Sequence, residues 1–238
     1  MTCTIYISKM SHASESHELL NLALSDYLSA QNRAEQTDIQ SIEPDLSDSG
    51  TTDRTAADSG LTDRLTTTGK TADNAAADLS QTDLTLDKAD GGKPYLPEYP
   101  EIHFSISHSG DYWACAFAPV EIGLDLQEVT GVNGDRIAKR FLHPEEYEWL
   151  SHVGFDRFCL IWAHKESYLK YTGEGLVGGL DSFSLTEILD IISENKDREG
   201  TAIIKENPVW QKEIPAIQGY HMVCTAASAM DVAVRILR

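Results

Sequence analysis

The chain has 238 residues, enough for one two-lobed domain, and its 38 acidic residues outnumber its 19 lysines and arginines, a net charge of −19. That balance argues against nucleic acid and anionic membrane as partners. Four widely spaced cysteines, Cys3, Cys115, Cys159 and Cys224, with no secretory leader and no apolar run long enough to cross a bilayer, point to a reducing cytoplasm.

In chain order, TIYIS near the start predicts a short strand, and residues 13–31, with Leu19, Leu20, Leu22, Ala23, Tyr27 and Leu28, predict a helix. Residues 36–90 contain no aromatic residue and no cysteine until the motif that follows them, and their Asp, Thr, Ser and Ala content cannot build a core. Twelve acidic against 4 basic residues give this stretch a net of −8. Asp48, Asp53, Asp58, Asp63, Asp73, Asp78 and Asp83 fall five apart, the period of a pentapeptide solenoid. The positions that should fill a solenoid interior are Ser49, Arg54, Ser59, Arg64, Asn74, Leu79 and Leu84, of which only the last two are apolar, so a disordered low-complexity insertion is expected instead.

GKPYLP follows, and then FSISHSG, where Ser105, Ser107 and Ser109 alternate with Phe104, Ile106 and His108 in a strand that runs into a Gly110–Asp111 turn. In EIGLDLQ, Ile122, Leu124 and Leu126 alternate with Gly123, Asp125 and Gln127, the pattern of a half-buried strand. Asp125 and Gln127 therefore share a face, about 6–7 Å apart. Such a pair is either a solvated strand face or two oxygen ligands for a hard cation.

Arg136, Lys139 and Arg140, at i, i+3 and i+4, line one side of a short helix, either as a solvated face or as a docking surface for an acidic partner. Tyr147, Trp149 and Leu150 beyond it suit the core. Phe155, Phe158, Cys159, Trp162 and Leu169 recur at three- and four-residue spacing, predicting an amphipathic helix over about 154–172. Glu166 sits four residues after Trp162 at the edge of the apolar stripe, with Lys170 one turn on; by spacing alone these two are a helical ion pair. Gly173, Gly175 and Gly178 spell G-x-G-x-x-G, but the run closes a helix rather than opening one, so Gly173 reads as a C-cap and a dinucleotide site is rejected. AIIKE, YHMVCTAAS and VAVRIL read as strands completing a second sheet.

GKPYLP, FSISHSGDYWACAF, IGLDLQ, IAKRFLHPEEY and IWAHKESYLKYTGEGL, in this order and spacing, resemble the 4′-phosphopantetheinyl transferases of the surfactin-synthetase type, nearly without a break over residues 92–183 and more loosely to 238. The resemblance implies a fold of the α+β class, a pseudo-twofold pair of lobes, each an antiparallel sheet packed on a helix: a reduced amino-terminal lobe over residues 1–120, interrupted by the 36–90 insertion, and a carboxyl-terminal lobe over 121–238 carrying the metal site. It implies a Mg²⁺-dependent, monomeric enzyme that moves the phosphopantetheine arm of coenzyme A to a serine of an acyl or peptidyl carrier protein and releases 3′,5′-ADP.

By the same resemblance, Asp125, Gln127 and Glu166 are the metal positions, Glu166 helps deprotonate the carrier serine, and Lys170 stabilises or protonates the departing phosphate. Lys93, Ser107, His108 and Lys170 are the coenzyme A contacts, and Glu146 matches a further acidic position near the metal; read from the residues alone, Glu146 is equally an acid in the first helical turn after Pro144, favoured by the helix dipole. Two departures stand out. Gln127 replaces an acid, and residues 1–35 hold only Lys9 and Arg33 where relatives of this type carry a basic stretch. The alternative implied by these departures is a carrier-binding module of the same fold with impaired catalysis.

Overall fold

The computed structural model describes residues 1–40, 84–175 and 179–237; the five-residue aspartate period and the disordered insertion expected there fall largely on residues 41–83, outside the described residues. The chain forms two compact units, one of Met1–Ala23 with Leu84–Arg238 and one of Leu24–Asp83. Both main sheets and the candidate site belong to the first. In the second, described residues 24–40 are helical.

In chain order the first elements are β1 (Thr2–Lys9), α1 (Ser16–Gln40), the two-residue strands β2 (Asp87–Lys88) and β3 (Pro94–Tyr95), β4 (His103–Ser109), β5 (Tyr112–Ala118) and β6 (Gly123–Glu128). Four helices follow, α2 (Gly134–Phe141), α3 (Pro144–Val153), α4 (Phe158–Thr172) and α5 (Thr186–Glu194), and then β7 (Glu199–Ile204), β8 (Asn207–Glu213), β9 (Tyr220–Ala226) and β10 (Asp231–Ile236). The α+β class is as expected. Helix α1 extends beyond the predicted 13–31 at its carboxyl end, because nothing in QNRAEQTDIQ breaks a helix: it holds no proline or glycine.

Eight strands make two four-stranded sheets, ordered β10-β1-β5-β4 and β6-β9-β8-β7, and β2 pairs with β3 in a separate two-stranded sheet. All neighbours are antiparallel except β10, which runs parallel to β1 with Thr2 opposite Asp231 and Ile7 opposite Ile236. This corrects one expectation: VAVRIL does not complete the second sheet but borders the first. The pairing joins the two ends of the sequence, a register that local patterning does not encode.

Period-two alternation packs the sheets on one another. Cys3, Ile5 and Ile7 of β1 and Ala114, Ala116 and Ala118 of β5 meet Ile122, Leu124 and Leu126 of β6 and Met222, Cys224 and Ala226 of β9 in one buried cluster. Three alanines in a row on β5 leave room for the larger side chains opposite. The outward face of the second sheet carries α4, which lies against β6 and β9. A second cluster joins Ile161 and Leu169 of α4 to Leu150 of α3, Ile188 of α5 and Ala202 of β7.

Helix α4 differs from the predicted amphipathic pattern. It starts at Phe158 after a single 3-10 turn, and ten of its residues are buried, including His164, Lys165 and Ser167. Sandwiched between a sheet and three other helices, it has hardly any solvent face, so polar residues that would mark an outer stripe instead find buried partners. Gly173 ends it in a left-handed conformation at φ 74°, its N–H bonded to the Leu169 carbonyl at 2.9 Å, the C-cap read from the sequence.

Candidate active site

The alternation in β6 sends Ile122, Leu124 and Leu126 into the core between the sheets and turns Gly123, Asp125 and Gln127 towards α4. Gly123 has no side chain because there is no space for one: a Cβ would collide with the Ser167 carbonyl oxygen and lie 2.5 Å from the Tyr171 nitrogen. That close approach lets side chains of β6 and α4 meet. Lys170 Nζ lies 2.7 Å from Asp125 Oδ1, with Asp125 only 5 % exposed. Glu166, one turn earlier on α4, is half-buried on the same side.

Burial pushes the Asp125 carboxyl above its ordinary value, opposed by Lys170, by the Ser107 hydroxyl and by the Leu126 backbone. Glu166 is pushed up as well, first by burial and then by the charge of Asp125, with Lys170 working against both. A half-buried carboxyl pushed up by the charge of a buried neighbour makes a place where a cation is favoured. Gln127 shares the strand face of Asp125 and bonds the Glu128 carbonyl through Nε2 at 3.0 Å, so Oε1 is the atom it offers as a ligand. Among the described residues no three His, Cys, Asp or Glu side chains are grouped to hold a metal. The set here is two carboxylates and an amide, oxygen atoms throughout, which suits a hard cation that keeps part of its water shell.

A cavity of about 260 Å³ opens beside this cluster, between Gly91–Pro94, Phe104–Ile106 of β4, and Glu166, Leu169, Lys170 and Gly173 of α4. His108 continues the Phe104–Ile106 face of β4 and is exposed. Lys93 lines the cavity with its stem, while its Nζ is held by Glu121 Oε2 at 2.5 Å, the Ile122 carbonyl at 2.9 Å and the Tyr171 carbonyl at 3.2 Å. The ammonium thus ties the β3 loop to the start of β6 and the end of α4. Lys93 also helps hold Glu121 below its ordinary value, together with His103 and against burial.

Ser107 lies in a seam between the sheets. Ser105, Ser107 and Ser109 of β4 accept the backbone N–H groups of Leu124, Leu126 and Glu128 of β6 at 2.9, 3.0 and 2.9 Å. The strands border different sheets and are stitched by hydroxyls at every second residue. The S-x-S-x-S alternation is the sequence signal for this seam, but it does not say what the hydroxyls face.

Glu146 stands away from this cluster. It is fully buried, accepts Lys165 Nζ at 2.7 and 2.8 Å on its two oxygens, the Leu185 N–H at 2.9 Å, and the His143 N–H at 3.0 Å as the reciprocal half of a capping box. Lys165 adds the Phe183 carbonyl at 2.6 Å and lies 3.9 Å from the Phe183 ring centroid. Of the two sequence readings of Glu146, the helix-terminus one describes this geometry. Histidine, proline and glutamate in HPEE are the N-cap, N1 and N3 of α3, a signal present in the sequence; the partner Lys165 was not readable.

Side-chain oxygens on a strand, a glutamate and a lysine one helical turn apart, and a glycine-rimmed cavity thus lie together at one place in an α+β fold. Residues 121–223 match the model of the 4′-phosphopantetheinyl transferase superfamily. A 4′-phosphopantetheinyl transferase of Bacillus subtilis is 39% identical over 120 residues, 49% of this chain and 53% of that protein. The 4′-phosphopantetheinyl transferase gsp of Aneurinibacillus migulanus is 31% identical over 144 residues, 58% of this chain and 56% of its own. The human L-aminoadipate-semialdehyde dehydrogenase-phosphopantetheinyl transferase is 30% identical over 169 residues, 62% of this chain and 54% of its own. The chain spans about half the length of the curated relatives it matches. The segment that holds Asp125, Gln127, Glu166 and Lys170 is thus the part of the chain that is similar to the 4′-phosphopantetheinyl transferase superfamily, in line with its motifs of the surfactin-synthetase type.

Proposed function

We propose that the protein transfers the 4′-phosphopantetheine arm of coenzyme A to a serine hydroxyl of an acyl or peptidyl carrier protein. The observation that carries this reading is the Asp125–Lys170 contact of 2.7 Å beside Glu166 at the edge of the cavity. In the reaction the serine oxygen bonds to the phosphorus that bears the pantetheine, the bond from that phosphorus to the bridging oxygen breaks, and 3′,5′-ADP departs. Glu166, its carboxyl pushed up by burial and by Asp125, takes the serine proton. Lys170 neutralises charge on the departing phosphate. His108, exposed on β4 two residues beyond the cavity-lining Ile106, contributes a donor, and the Gly91–Lys93 loop that lines the cavity packs against the nucleotide. Asp125, Gln127 and Glu166 would hold Mg²⁺, whose chemistry is to neutralise the pyrophosphate.

The carrier docks against α2, where Arg136, Lys139 and Arg140 are all exposed and an apolar groove of about 220 Å³, lined by Val132, Ile137, Phe158 and Trp162, reaches Gln127. Carrier proteins are acidic, and a basic helix on a chain of net charge −19 gives them a local place to bind. The enzyme acts as a monomer in the cytoplasm; its four cysteines are free and buried, and among the described residues no helix is long and apolar enough to cross a membrane.

Mass spectrometry of a panel of apo carrier proteins incubated with the protein, coenzyme A and Mg²⁺ tests the reading. A gain of one phosphopantetheine arm, lost with Asp125→Ala, is expected and names the carrier class. Carrier binding without any mass gain would replace the transferase with a non-catalytic module.

A further inference from the structure

A serine hydroxyl has one proton, and where that proton goes decides what the group can bind. Ser107 Oγ accepts the Leu126 N–H at 3.0 Å and donates to Asp125 Oδ1 at 2.8 Å. With its proton on a carboxylate and a lone pair on an N–H, it has no donor left for a phosphate oxygen, which at neutral pH is itself only an acceptor. Both partners are shielded, Ser107 and Asp125 each being 5 % exposed, so the bond is made away from competing water.

The same Asp125 oxygen accepts Lys170 Nζ at 2.7 Å. One donor comes from β4 and the other from α4, and together they fix the plane of the carboxylate. Ser107 is itself fixed, because Ser105 and Ser109 on either side lock β4 in register against β6 through their own bonds to Leu124 and Glu128. The seam therefore places a hydrogen-bond donor behind Asp125 on a rigid strand, the arrangement by which outer partners tune carboxylate ligands of a metal.

We propose that Ser107 is a positioning residue, which orients Asp125 for the cation, and is not a direct contact of coenzyme A phosphates. This rests on the reading of Asp125 as a metal carboxylate. It separates the two residues of the Ser107–His108 pair: the exposed imidazole faces the ligand and the buried hydroxyl faces the strand behind.

The test uses the full chain and Mn²⁺ alone, titrated with the free ion followed by electron paramagnetic resonance, beside kcat and KM for coenzyme A at saturating Mg²⁺. Ser107→Ala is expected to weaken Mn²⁺ binding about 10–100-fold, the usual cost of removing an outer partner, with KM for coenzyme A unchanged once Mg²⁺ saturates. Ser107→Thr, which keeps the hydroxyl, restores binding. Ser109→Ala loses a seam bond of the same kind but none to a carboxylate, and weakens Mn²⁺ binding far less than Ser107→Ala does, which separates positioning from general loosening of the seam. If Ser107→Ala leaves Mn²⁺ affinity intact and raises KM for coenzyme A, the hydroxyl contacts phosphate and the proposal is wrong. If Asp125→Asn binds Mn²⁺ as tightly as the parent, the metal reading of Asp125 falls, and this proposal with it.

Discussion

At the scale of single residues, the candidate site depends on an absence. Asp125 and Lys170 meet because Gly123 lets the backbone of α4 approach β6 closely, and the atoms a Cβ would strike there, the Ser167 carbonyl oxygen and the Tyr171 nitrogen, belong to helix backbone that cannot swing aside. Gly123→Ala must push α4 away as a body. Overpacking of this kind costs about 1–3 kcal/mol. The larger effect is on chemistry: Glu166 and Lys170 move with the helix while Asp125 stays on the strand, and a displacement of about 1 Å at a reacting centre costs on the order of 100-fold in rate. We expect Gly123→Ala to remain folded, with a lowered melting temperature and carrier modification reduced about 100-fold. Parent-like turnover would show that the spacing of β6 and α4 is not what sets the site.

At the scale of elements, α3 is fastened to α4 by charge. Glu146 and Lys165 are both fully buried in contact with each other, and burial pushes the carboxyl up and the ammonium down against their mutual attraction. Four N–H donors on Glu146 and the Phe183 carbonyl on Lys165 hold the pair charged. Removing one partner leaves the other as an isolated buried charge, so Lys165→Met is expected to destabilise the fold by about 3–5 kcal/mol. The double change Glu146→Leu with Lys165→Met should recover much of that loss, since neither charge then needs a partner. Chemical denaturation of both variants checks this; losses that simply add would mean the two groups do not act as a pair.

These two cases also mark what the sequence made legible. The shared face of Asp125 and Gln127 followed from strand periodicity alone, because a period of two leaves no choice once Leu124 and Leu126 are inside. The Gly173 cap and the start of α3 at HPEE follow equally local rules. The Lys165 partner did not, since a lysine on a helix reads as solvent-facing until its neighbours are known. Ser107 was ambiguous for the same reason: alternation gave its face, but the acceptor of its proton lies on a strand 18 positions away. The order of the sheets was the least legible, because β10 pairs with β1 across almost the whole sequence.

At the scale of the whole molecule, that last pairing closes the first sheet and reaches the site. β10 occupies one edge, β1 and β5 are central, and β4, which carries Ser107 and His108, is the other edge. β1 is buried through Cys3, Ile5, Tyr6 and Ile7, and every residue from Thr2 to Ile7 has a partner on β10. Ending the chain at Met230 would make β1 an edge strand, exposing its unpaired N–H and carbonyl groups beside an apolar face, a template for pairing between molecules. The loss would not stay local, because Cys3, Ile5 and Ile7 pack directly on Ile122, Leu124 and Leu126 of β6, the strand that carries Asp125. We therefore expect the shortened chain to lose its cooperative thermal transition and to associate at concentrations where the full chain does not, with fast amide exchange in β1 and β5. Light scattering and hydrogen exchange read these directly. If the shortened chain instead stays dispersed, keeps slow amides in β5 and still modifies its carrier, β10 is an ornament on the edge and the second sheet with α4 is sufficient to hold the site.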